Sequence, residues 1–194
     1  TDAGNSWTLT TELQDLQSVS AIAQDPRTGE RSTWYYATGE YSGSQYWYEH
    51  GGLLGDGIFK STDGGQNWTL LASTSTASPQ TFANDFNHIH RLKVSPTNGY
   101  LFAATSRKGK LKLSQDGGST WSDLLIATDA DPSYVDVDIT SNGTVYAAVG
   151  GGNWGGKTNK SGIFRSTDDG ASFTDITPAN FPASYSRIVL DISA

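Results

Sequence analysis

Ser61, Asp63, Gly65 and Trp68 set out a hydroxyl, a carboxylate, a glycine and an aromatic at fixed spacing. The same pattern returns as Ser114, Asp116, Gly118 and Trp121, and again as Ser166, Asp168, Gly170 and Phe173. A fourth copy, Asp2, Gly4 and Trp7, lacks only its leading serine. A carboxylate beside a hydroxyl could work as a general acid or base. Repetition points elsewhere. Successive aspartates lie 61, 53 and 52 residues apart, and a period near fifty with one turn motif per period marks a repeated supersecondary unit. In such a turn the carboxylate can accept backbone N–H groups while the hydroxyl braces it. The glycine takes a positive φ, and the aromatic opens the next strand. These box residues are therefore expected to be structural.

Other groups carry more chemical promise. The segment from Tyr41 to Gly52 contains Tyr41, Tyr46, Trp47, Tyr48, Glu49 and His50 between glycines. Its rings could stack on sugars or anchor a protein, or else pack on neighbouring units. Trp154, in the glycine-rich stretch 150–156, is a second candidate. Glycoside hydrolysis needs two carboxyl groups flanking the scissile bond, and Glu40, Glu49, Asp56, Asp85 and Asp136 are available. His88 and His90 alternate along a strand, but with no cysteine and no clustered carboxylate they read as packing residues rather than metal ligands. Asp129-Ala130-Asp131 lacks the glycine and distal glutamate of a calcium loop. No metal site, cofactor or catalytic residue is expected.

These groups must be positioned by strands. The 194 residues contain 22 Gly, six Trp, no Cys and no Met, with a net charge of −7. Acidic balance without a basic cluster argues against nucleic acid, and no apolar run approaches the ~20 residues of a membrane helix. The sequence resolves into the end of a preceding unit at 1–16, units at 17–72, 86–127 and 133–177, and a first strand of a further unit at 185–194. Each full unit reads as four short strands with hairpin connections. Four-stranded sheets repeated radially are the blades of a β-propeller, an all-β fold. Aligning first strands puts Leu92, Val137 and Leu190 on one face, with His90, Val135 and Ile188 two residues earlier. Because the first box opens without its serine, the chain is expected to be part of a longer protein. Three complete blades would form an open, curved segment with apolar edges.

Gly55-Asp56-Gly57-Ile58-Phe59-Lys60-Ser61-Thr62-Asp63-Gly64-Gly65 and Ser161-Gly162-Ile163-Phe164-Arg165-Ser166-Thr167-Asp168-Asp169-Gly170 resemble Asp-box (BNR) repeats. Such repeats occur in sialidases, xyloglucanase-type glycoside hydrolases, sortilin-type propellers and large secreted bacterial proteins. The resemblance covers essentially the whole chain and is specific for fold rather than activity. It implies that the boxes join the third and fourth strands of each blade, opposite the ligand face. It also implies a secreted or cell-surface recognition or scaffold module for a glycan or protein, completed by the remainder of a larger propeller. The alternatives it carries are part of a xyloglucanase- or sialidase-like glycoside hydrolase with catalytic residues at least partly outside this chain, and a sortilin-like receptor holding a peptide in the channel. Sialidase activity is disfavoured, because Arg187-Ile188-Val189 lacks the proline of that family's motif and no arginine triad falls at equivalent strand positions.

Overall fold

The computed structural model describes residues 4–9, 18–39, 55–75, 84–106, 110–126, 134–150, 161–182 and 187–192. Among the described residues, twelve strands form three antiparallel sheets. The first contains β1 (Val19–Gln24), β2 (Trp34–Thr38), β3 (Ile58–Ser61) and β4 (Thr69–Leu70). The second contains β5 (Ile89–Val94), β6 (Leu101–Thr105), β7 (Lys110–Ser114) and β8 (Ser122–Ile126). The third contains β9 (Val135–Ile139), β10 (Val145–Val149), β11 (Gly162–Ser166) and β12 (Thr174–Asp175). Each sheet runs in sequence order, so every neighbouring pair is a hairpin.

Strand periodicity explains how the sheets stack. Along β6, Leu101 and Ala103 enter one core with Tyr35, Ala37 and Ile58 of the first sheet, while Phe102 and Ala104 enter another with Val135, Val137 and Val145 of the third. A strand buried on both faces has no polar side to alternate with, and β6 is apolar except for its terminal threonine. The middle sheet is thus sandwiched, and the first strands β1, β5 and β9 lie side by side at one edge. Val19 and Ile22 on β1, facing away from the second sheet, are exposed.

Four local features depart from the sequence pattern. A register shift between Ile89 and Arg91 breaks the alternation of β5. Ile89, Leu92 and Val94 therefore fill the core, and His90 leaves the stripe assigned to it. A bulge adds one residue on one strand only, so period two fails across it. Asp85–Asn87 forms a short 3-10 helix where only loop was expected. Trp7 to Leu9 takes no strand structure, and residues 187–192 join no sheet among the described residues.

In an up-and-down sheet the β1–β2 and β3–β4 turns share one end. Gly64 N donates to Ser32 O across those turns. The β2–β3 connections and the links between sheets emerge at the other end.

Candidate functional site

At the turn end, each fully described box is a closed hydrogen-bond cage. Ser61 Oγ donates to Asp63 Oδ1 at 2.7 Å and accepts from Gly65 N at 2.9 Å. Asp63 also receives Gln66 N, Asn67 N and Asn67 Nδ2. Ser114 and Asp116 repeat the cage with Thr120, and Ser166 and Asp168 with Ser172. Asn67, Thr120 and Ser172 precede the aromatic in each copy, so this cage member was visible as a recurring polar residue and was not read. The donors hold all three carboxyls below the usual range: Asn67 acts most strongly on Asp63 and Thr120 on Asp116, while Ser172 and Ser166 bring Asp168 to about 2. A carboxylate this saturated is a poor proton donor.

The boxes also touch the preceding sheet. A Cβ on Gly118 would stand 2.4 Å from Leu71 Cδ1, and one on Gly170 would stand 2.9 Å from Leu124 Cδ1 and 3.2 Å from Phe102. Trp121 Nε1 donates to Ser73 Oγ, which donates to Gly118 O, and the Trp121 ring meets Phe86 edge-on at 5.2 Å. Trp68 packs on Tyr36 within its own sheet, and Phe173 lies against the second core. Trp7 is 91% exposed beside Gly4. Asp2 lies outside the described residues.

The candidate ligand residues Tyr41, Tyr46, Trp47, Tyr48, Glu49, His50 and Trp154 also lie outside the described residues, as does Glu40. What is described is the neck from which residues 40–54 depart. Asn87, fully buried, accepts Gly55 N at its carbonyl and donates from Nδ2 to Gly55 O, both at 2.9 Å. Its carbonyl also lies 1.9 Å from where a Cβ on Gly39 would sit. Thr38 Oγ1 bridges Gly57 O and Asp56 N. Asn87 is itself fixed by a capping box with Asn84, whose Nδ2 reaches Ser75 O. One asparagine just before β5 thus bonds the returning limb at Gly55 and stands close against the departing limb at Gly39, which itself donates to Ser18 O.

Beside this hub, Asp85 and Asp123 share Lys110 and Lys112 at 2.6–3.1 Å. Burial alone would raise both carboxyls, but the lysine hydrogen bonds outweigh it and hold them below the ordinary range. That direction is wrong for a general acid. Asp136 is bound by Arg91. At the inner edge, His90 lies on Tyr134 with centroids 5.2 Å apart, and the Arg187 guanidinium stands 5.8 Å from the Tyr134 ring. Burial, then Arg187, lowers the His90 pKa to about 4, and its Nε2 is buried with no partner among the described residues. No metal-competent cluster occurs among the described residues.

Face-stacked four-stranded meanders with adjacent first strands have solved counterparts. The chain is similar to the GH74 enzyme of Niastella koreensis (18% identity, TM-score 0.50, 84% of this chain and 30% of that one). It is also similar to the GH74 xyloglucanase of Xanthomonas campestris (18%, 0.54, 87% and 24%) and to an ancestral GH74 enzyme (16%, 0.54, 82% and 20%). This chain is a β-propeller segment. It spans between a fifth and a third of the length of those three structures. No family profile and no curated protein sequence matches it. No helix among the described residues is long and apolar enough to cross a membrane.

Proposed function

We propose that this segment belongs to a secreted or cell-surface Asp-box propeller and serves as a recognition and scaffold module for a glycan or protein ligand. The supporting observation is Asn87, which bonds Gly55 and packs against Gly39 where the aromatic-rich insertion 40–54 leaves and rejoins the first sheet. Long insertions on a fixed frame are where binding concentrates. In this reading Tyr41, Tyr46, Trp47, Tyr48, Glu49, His50 and Trp154 contact the ligand at the end opposite the boxes. Asp2, Asp63, Asp116 and Asp168, with their serines, glycines and aromatics, hold the blades. Because the matched structures include a xyloglucanase, β-glucan oligosaccharides are the first ligands to try. The same likeness favours a second reading, part of a glycoside hydrolase completed by residues outside this chain. The pairing of Asp85, Asp123 and Asp136 with cations argues against any of them as its general acid.

The test replaces Tyr46, Trp47 and Trp154 together by alanine and measures xyloglucan-oligosaccharide binding by calorimetry, with a protein-partner screen in parallel. Loss of binding at least tenfold, with unchanged melting, is the expected result. Binding unaffected by the triple substitution would remove these rings from the site.

A further inference from the structure

The first strands carry an arrangement that the loop-end reading does not use. Asp136 and Asp138 alternate along β9 on the face away from Val135 and Val137, and both are nearly buried. Each carboxylate is engaged three ways. Its Oδ1 accepts the next backbone amide of β9, Val137 N at 3.0 Å for Asp136 and Ile139 N at 2.9 Å for Asp138. Each also meets a cation from β5: Arg91 reaches Asp136 at 2.8 and 3.2 Å, and Lys93 reaches Asp138 at 2.7 Å. The Oδ2 atoms accept Leu190 N at 2.9 Å and Ile192 N at 3.1 Å. Arg91 Nη2 completes the set by donating to Leu190 O at 2.9 Å.

The residues run in step: 91 and 93, 136 and 138, 190 and 192. A separation of two is the repeat of an extended chain, so the carboxylates address backbone amides in strand register. The segment 187–192 is held through its peptide groups while joining no sheet among the described residues. Between β1 and β5 the arrangement is missing. On β1 the positions aligned with Arg91 and Lys93 are Ala21 and Ala23, and between β1 and β5 lies an open groove of about 320 Å³ lined by Ser20–Gln24 and His90–Val94. The charged set is therefore a local device rather than a general property of stacked first strands.

We propose that Asp136 and Asp138, oriented by Arg91 and Lys93, form a docking clamp for one extended strand, and that its occupant is residues 187–192 of this chain. The clamp reads backbone donors, and apolar residues at alternate positions (Ile188, Leu190 and Ile192) are half-buried while Arg187, Val189 and Asp191 are exposed. The first strand of a following blade is in this way seated by the blade before it, independently of its own hairpin partners. The clamp operates whichever ligand the loop end takes.

Hydrogen exchange on the whole chain tests this. The amides of Leu190 and Ile192 exchange at least tenfold more slowly than those of Val189 and Asp191. Combining Asp136→Ala and Asp138→Ala with Arg91→Met and Lys93→Met, which leaves no orphan cation, abolishes that difference while Leu101–Thr105 stay protected. Persistence of protection at 190 and 192 in this variant overturns the proposal. A second variant, Leu190→Pro, deletes one donor and leaves the clamp intact. A capped peptide spanning 187–192 binds this variant at least tenfold more tightly than the parent, and the gain vanishes when the four clamp substitutions are added. Failure of Leu190→Pro to take up the peptide counts equally against it.

Discussion

Replacing Gly118 by alanine separates two roles of the box glycine. Gly65 and Gly118 both hold positive φ, +88° and +97°, so alanine at either pays a backbone penalty of about 1–2 kcal/mol. Their surroundings differ. An added Cβ at Gly65 meets only the Trp68 ring, at 3.4 Å, whereas at Gly118 it would overlap Leu71 of the preceding sheet at 2.4 Å. Overpacking of this kind adds about 1–3 kcal/mol. Gly65→Ala should then lose about 1–2 kcal/mol and Gly118→Ala about 2–5. At roughly 2–4 °C per kcal/mol for a chain of this size, the second variant should melt clearly below the first. Urea unfolding with a common slope gives the free energies. In the Gly118→Ala background, Leu71→Ala should cost less than it does in the parent, by about 0.5–3 kcal/mol of coupling. Equal losses for the two glycine variants, together with additive Leu71→Ala, would refute the box as a joint between blades.

Two further outcomes follow from the cages and the inner edge. Asp63→Ala should lower the melting temperature without altering affinity for any ligand bound at the loop end, since among the described residues its carboxylate bonds within its own turn; lost binding at constant stability would reverse that assignment. His90 gives a pH signature. Its folded pKa of about 4 lies below the ordinary 6.5, so the folded state resists the proton that the unfolded chain accepts. Stability should be complete above pH 6.5 and fall by about 3 kcal/mol as pH drops toward 4. His90→Phe should flatten that window in urea titrations, and a free-histidine titration of His90 by NMR would contradict it.

How much of this was legible depended on whether a residue's role was local. The cage of Ser61, Asp63 and Gly65 closes within a few residues, so spacing alone exposed it. The β1–β2 turns and the paired faces of β6 also follow from local chemistry and period two. The β5 bulge was hidden because Ile89 and His90 can each occupy a core-facing position, and only the pairing with Thr105 and Ala104 selects Ile89. Asn87 was hidden for a different reason. Its partner Gly55 and its close neighbour Gly39 lie in the β2–β3 connection of another sheet, and an asparagine before a strand looks like any turn residue. The ion quartet of Asp85, Lys110, Lys112 and Asp123 was invisible because its members come from three elements, the 3-10 turn, β7 and β8.

The two ends of the blades also prove less independent than their motifs suggest. Phe86 belongs to the helical turn that presents Asn87 to the loop neck, yet its ring meets Trp121, the aromatic of the second box. Lys112, from the ion quartet, stands 5.1 Å from the same Phe86 ring. Trp121 in turn reaches Ser73, and Ser73 reaches the Gly118 carbonyl. A continuous set of contacts therefore runs from the box, through Trp121 and Phe86, to the residue that bonds Gly55 and stands against Gly39. The box end and the loop end meet in the seam between the first two sheets. A box substitution that leaves the aromatic in place, such as Asp63→Ala, disturbs one turn. Removal of Trp121 takes away the ring that meets Phe86, and should therefore raise amide exchange at Gly55, which Asn87 holds; unchanged exchange there would separate the two ends.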